Sequence, residues 1–188
     1  MLQSPSAVWL HRLVRRMHRI EAQGLERIPQ QGRVILAVNH TGLGVRSGLL
    51  LSTLLERDIT FLASTVMRRL PFSRQLARTF SVIFVSPADM LSTRLLDEAE
   101  AVLGRGALLG LMVDGREMNQ RKGMTKRGAA WLAIRLGASL LPVSVRFGLT
   151  GNARVQVGEL LPPPPSVSRQ DLDASTAALH DFHRTMSR

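Results

Sequence analysis

Residues 33–46, "RVILAVNHTGLGVR", run from an arginine through five consecutive apolar residues to an Asn-His pair and then into small residues. A strand with one wet face alternates apolar and polar side chains, so an unbroken apolar run of this length reads as a strand buried on both faces. "SVIFV" at 81–85 and "ALLGLMV" at 107–113 repeat the pattern. Helix-like segments separate these strands: "LLLSTLLE" at 49–56, "MRRLPFSRQLARTF" at 67–80, residues 90–103 before Gly104, "AAWLAIRLG" at 129–137 and "RQDLDASTAALHDFHRTM" at 169–186. Further strands are expected at 58–64 and 140–148, with an alternating edge strand at 153–160. Strands alternating with helices predict an α/β fold, a mostly parallel central sheet covered by helices on both faces.

The chain has 188 residues, enough for one domain with a core of its own, and no cysteine. Thiol nucleophiles, disulfide frameworks and Cys-ligated zinc are thereby excluded. No apolar stretch approaches the roughly 18 to 20 residues that span a bilayer. At the N-terminus, Trp9, Leu10, Leu13, Val14, Met17 and Ile20 fall on one side of a helix, and Arg12, Arg15, Arg16, His18 and Arg19 on the other. We therefore divide the chain into a basic amphipathic helix over 1–23 and a single α/β domain over 24–188. Two placements of that helix stay open: on anionic headgroups, or docked on its own domain. Its basic residues lie among its apolar ones, which is not the order of a secretion signal. The expected location is cytoplasmic, peripheral on the inner face of the cell membrane.

A formal charge of +11 implies anionic partners. The basic residues are dispersed over many segments and aromatics make up only 4% of the chain, so nucleic acid ranks behind lipids and phosphorylated small molecules. In open parallel sheets, ligands collect beyond the carboxyl ends of the strands. Asn39-His40 follows one such strand and "DGR" at 114–116 follows another.

The blocks "GLERIPQQGRVILAVNH", "SVIFVSP", "LMVDGRE" and "TKRGAAWLAIRLGASLLPVSV" resemble, in order and spacing, those of the glycerolipid acyltransferase family typified by 1-acylglycerol-3-phosphate acyltransferase. The resemblance covers about Gly24 to Gly148. It implies transfer of an acyl group from acyl-CoA or acyl carrier protein to a hydroxyl of a lysophospholipid or related anionic glycerolipid. No cofactor beyond the acyl donor is implied. His40 would be the general base, a task suited to an imidazole whose ordinary pKa of about 6.5 is near working pH.

The chain departs from the family pattern at the acid expected five residues after His40, which is Val45, and at Pro87 and Val113. Asp114 stands at the family's glutamate position and is the best carboxylate to support His40, with Asp58 and Asp89 behind it. Asn39, Arg46, Gly115, Arg116, Lys126 and Arg127 are the residues expected to meet substrate, together with a basic rim that includes Arg121 and Lys122. Arg46 reads either as an anion contact or as a change in the polarity of the pocket. A degenerate acyltransferase fold that binds lipid or a protein partner is the competing interpretation. His11, His18, His180 and His183 are expected on surface helices without a role. His180 and His183 have metal-ligand spacing but no further ligands, so no metal is expected.

Overall fold

The computed structural model describes residues 19–39, 44–69, 81–86, 89, 92–113, 124–148 and 151–186, with backbone only at 69 and 124–126. Its centre is a seven-stranded sheet. The strands are β1 (Ile20–Gln23), β2 (Val34–Val38), β3 (Ile59–Ser64), β4 (Ser81–Val85), β5 (Leu108–Met112), β6 (Ser139–Phe147) and β7 (Ala153–Val157), in the order β1-β7-β6-β2-β5-β3-β4. β2 pairs in parallel with β5 and β6, and β3 in parallel with β5 and β4. β7 runs antiparallel to β6, and β1 parallel to β7.

All five residues of β2 are buried because both faces of the strand are covered. Its even-numbered side chains, Val34, Leu36 and Val38, join Leu50 and Leu51 of helix α1 (Val45–Leu54) in one core. Ile35 and Ala37 join the other core, beneath α2 (Thr93–Gly104), α3 (Met124–Leu136) and α4 (Arg169–Met186). α2 shows why such a helix forms and where it lies. Ser92 caps it by accepting the Leu95 amide at 3.2 Å, and Leu95, Ala99, Val102 and Leu103 recur at the spacing of one buried stripe.

The fold expected from sequence is the fold observed, with shifted boundaries. Ile20–Gln23, assigned on sequence to the N-terminal helix, is a strand hydrogen-bonded along β7. This edge strand makes β7 an internal one. α1 begins at Val45 instead of 49, after Gly44 in the left-handed region (φ 71°). α3 begins at Met124, so Lys126 and Arg127 belong to its first turns and not to a loop. Thr65–Arg69 is a short 3₁₀ helix; the rest of the helix expected to 80, and the N-terminal helix up to residue 18, lie outside the described residues.

At the amino end of the sheet, Arg57 ties three segments together. Its guanidinium donates to the carbonyls of Pro29 at 2.6 Å, Gly32 at 2.8 Å and Gly106 at 2.8 Å. Burial lowers its pKa from the ordinary arginine value. Replacing it with alanine removes charged donors from three carbonyls at once. We expect Arg57→Ala to lower the unfolding free energy by about 1–3 kcal/mol, measured by denaturant titration.

Beneath α1, the Phe61 ring lies against two glycines. A Cβ added at Gly110 of β5 would fall 2.5 Å from Phe61 Cδ1, and one at Gly48 of α1 would fall 3.6 Å from Cε2. Gly110→Ala is expected to cost about 1–3 kcal/mol by overpacking. Adding Phe61→Leu should recover part of that loss; strictly additive losses would show that the ring is not the obstruction.

Candidate active site

β2 and β5 are neighbours, and their register pairs Val38 with Met112. The Val113 amide then donates to the Val38 carbonyl at 2.9 Å. The two strands therefore end level with each other, two residues before His40 in one and two before Asp114 in the other. His40, Asp114, Gly115, Arg116, Arg121 and Lys122 lie outside the described residues, as does the side chain of Lys126.

Asn39 is described, and it is 8% exposed. Its backbone amide donates to the Val143 carbonyl at 3.1 Å, one more rung of the β2–β6 ladder. Beyond that rung β2 ends while β6 continues to Phe147. Val145 would be left with a buried N–H and C=O on the β2 side, and an unpaired buried group costs about 1–3 kcal/mol. The Asn39 carboxamide fills both places: Val145 N–H donates to Oδ1 at 2.6 Å, and Nδ2 donates to the Val145 carbonyl at 3.0 Å. Sequence suggested a substrate contact for Asn39. The structure instead spends its amide on the sheet, because a carboxamide is chemically one more peptide group.

Arg46, in the first turn of α1, places its guanidinium 4.3 Å from the centre of the Phe147 ring. The cation expected to meet an anion is thus stacked on an aromatic face, an interaction of about 0.5–1 kcal/mol at an exposed site. Val45, where the family acid was expected, is the half-buried first residue of α1. The first turn of that helix carries no acid, and Gly44 offers no side-chain cap. A positive side chain at a helix N-terminus opposes the macrodipole, so the stack offsets a local cost.

The weaker carboxylate candidates lie away from the carboxyl end of β2. Asp58 precedes β3 and so lies at the amino end of the sheet, a full strand length away. Asp89 follows β4, which stands three positions from β2 in the sheet, roughly 14 Å at ordinary strand spacing. Its carboxylate takes the Ser86 hydroxyl at 2.5 Å and the Ser86 amide at 3.2 Å. These bonds, the hydroxyl's first, hold its pKa below the usual carboxylate range.

Arg127 and His183 both have partners in the fold, and for His183 the expectation is corrected. Arg127 pairs with Asp173 of α4, with Nη2 to Oδ2 at 2.9 Å, a partly exposed contact between α3 and α4. His183, expected on a surface, is 3% exposed, and its Nε2 makes a hydrogen bond with the Ala37 carbonyl of β2 at 3.1 Å. Since a carbonyl only accepts, Nε2 carries the proton. His180 remains exposed. Sequence reading missed the supporting roles of Val145, Phe147 and His183. Only His183 had a linear signal, since Leu172, Leu179 and His183 fall on one helical stripe.

Comparison with known proteins places this geometry. The sequence model of the Acyltransferase family matches residues 19–146. Uncharacterized proteins of Mycobacterium tuberculosis and Mycobacterium bovis are 29% identical over 134 residues, 68% of this chain and 37% of theirs. A 1-acyl-sn-glycerol-3-phosphate acyltransferase of Borreliella burgdorferi is 26% identical over 129 residues, 68% of this chain and 51% of its own. The aligned region thus spans about half or less of these curated relatives. The crystal structure of the 1-acyl-sn-glycerophosphate (LPA) acyltransferase PlsC from Thermotoga maritima superposes with a TM-score of 0.66 at 19% identity, covering 97% of this chain and 80% of that one. The match of the family model over 19–146, together with this fold, establishes that the chain belongs to the Acyltransferase family.

Proposed function

We propose that the protein transfers a fatty acyl group from acyl-CoA or acyl carrier protein to a hydroxyl of a lysophospholipid or related anionic glycerolipid, with His40 as general base. The observation that carries this reading is the level exit of β2 and β5, which sends the segments bearing His40 and Asp114 from adjacent strands at one end of the sheet. His40 takes the proton of the acceptor hydroxyl as its oxygen attacks the thioester carbonyl. The C–S bond then breaks, and the thiol leaves with that proton. Asp114 is assigned to orient the imidazole and stabilise its cation, the task Val45 cannot perform. Gly115, Arg116, Lys126 and Arg127 are assigned to meet the acceptor's phosphate, while the Asn39 carboxamide is engaged by β6 and Arg46 is stacked on Phe147.

The topology also supports work at a membrane surface. β1 and β7 run opposite to the other strands, so Ile20 stands level with Ala153 and, through it, with Phe147 at the carboxyl end of β6. The basic segment 1–18 thus joins the sheet at the end where His40 follows β2. No described helix is long and apolar enough to cross a membrane. We assign the protein to the inner face of the cell membrane as a peripheral protein, attached through that segment.

A second reading, a degenerate fold that binds acylated lipid without turnover, is favoured by one observation: the first turn of α1 holds Arg46 and no acid.

Acyl transfer to a panel of lysophospholipids, from both donor classes, separates the two. Slow multiple turnover by the wild type, reduced at least about 10²-fold in His40→Ala, is expected. Val45→Asp should raise kcat by restoring a carboxylate. Turnover unchanged in His40→Ala would sink the base assignment. Absence of wild-type turnover with saturable lipid binding would establish the second reading. For membrane contact, replacing Arg12, Arg15 and Arg16 with glutamate should sharply reduce sedimentation with phosphatidylglycerol vesicles, and unchanged sedimentation would rule out that segment as the attachment.

A further inference from the structure

Asn39 does more than fill a gap in the sheet. A strand ordinarily ends when its main chain stops pairing, and the direction of the next residue is then set by the loop. Here the rung beyond Asn39 is made by a side chain, through the paired bonds to the N–H and C=O of Val145. With its backbone amide on Val143, Asn39 is held to β6 by three hydrogen bonds across two successive levels. Its carboxamide occupies the place where the next backbone rung of the β2–β6 ladder would fall. We propose that Asn39 is a positioning residue that fixes the direction in which β2 delivers His40.

The inference rests on His40 being the general base. It matters more in this chain than in one with an acid at position 45, because Val45 offers no carboxylate and orientation of the imidazole is left to Asp114 on another segment. Arg46, stacked on Phe147, pins the far side of the segment to the same strand, two residues beyond Val145. The end of β6 is therefore a template touched by the residues on both sides of 40–43.

The chemistry of the contact admits few substitutes. Glutamine would place its amide one methylene too far from the backbone. An ionised carboxylate accepts from the Val145 N–H but turns a second oxygen, carrying charge, toward the Val145 carbonyl. A protonated carboxyl offers one acceptor and one donor, as the amide does. Asn39→Asp therefore carries a built-in switch. Its introduced carboxyl, buried and facing a carbonyl, has a folded-state pKa above the unfolded value of about 3.9. Stability relative to wild type is then fully present below about pH 4 and is lost as pH rises toward the folded-state pKa, the ratio of unfolding constants growing about tenfold per pH unit.

Two measurements on the full-length chain test the proposal. The first is the imidazole NMR spectrum of His40, assigned by its loss in His40→Ala, which needs no turnover. Asn39→Ala should move the His40 ring resonances while leaving those of exposed His180 in place. In Asn39→Asp the displacement from wild type at the same pH should be present at pH 7.5 and shrink toward pH 5. The second is acyl transfer well below the melting temperature. Asn39→Ala is expected to lower kcat about 10²-fold with KM for the acyl donor within about twofold, and Asn39→Asp to recover toward the wild-type rate on acidification. Unmoved His40 resonances in a folded Asn39→Ala protein, or an unchanged kcat, would overturn the proposal. Retained activity in His40→Ala would remove the base assignment alone; displacement of its ring resonances by Asn39→Ala would still support the positioning.

Discussion

The double pairing of β2 is the constraint from which the rest of the structure follows. A strand with parallel neighbours on both edges and helices over both faces has nowhere to place a polar side chain, so Val34–Val38 are apolar throughout. The first polar residue in the run can appear only where the strand leaves the sheet. Asn39 is that residue, and even it is buried and fully engaged with β6. His40, the proposed base, thus follows a segment that cannot slide. A shift of one residue would send Ile35 and Ala37 into the core under α1, and Leu36 into the core under three helices.

The same strand is held from the other face. The His183 ring reaches from α4 to the Ala37 carbonyl, and Arg127 and Asp173 join α4 to α3. The exposed ion pair contributes little to stability, about 0–1 kcal/mol, whereas the buried histidine bond is insulated from water and specific in direction. The last helix therefore braces the strand that leads to the candidate site.

Much of this was legible in the sequence because it is carried by composition within short windows. "VILAV" and "LLGLM" read as interior strands and are interior, whereas the equally apolar "SVIFV" is the partly exposed edge strand β4; the order of the three blocks matched a known family. The hidden parts had physical reasons for being hidden. "IEAQ" continues the helical spacing of the residues before it, and only pairing with β7, 133 positions later in the chain, makes it a strand. α1 starts after a glycine that caps by backbone conformation and leaves no side-chain signature. α3 opens on "MTKR", whose polar residues read as loop until the apolar stripe begins at Ala129. In the site, Asn39 and Val145 are 106 positions apart, so no linear pattern could join them. Arg46 looked like a free cation because its partner, Phe147, is equally remote in sequence.

The reversed direction of β1 and β7 has a practical corollary. β1 brings residues 19 and 20 to the carboxyl end of β6, and the Met186 carbonyl at the close of α4 lies within hydrogen-bond reach of Arg146 near the same place, at 2.9 Å. Both ends of the described core thus emerge at the carboxyl end of the parallel strands, while the turn around Gly106 and the three carbonyls held by Arg57 lie at the opposite pole. Labels and surface tethers belong at the pole near Gly106, and a circular permutant opened there would leave the strands that frame the site uncut.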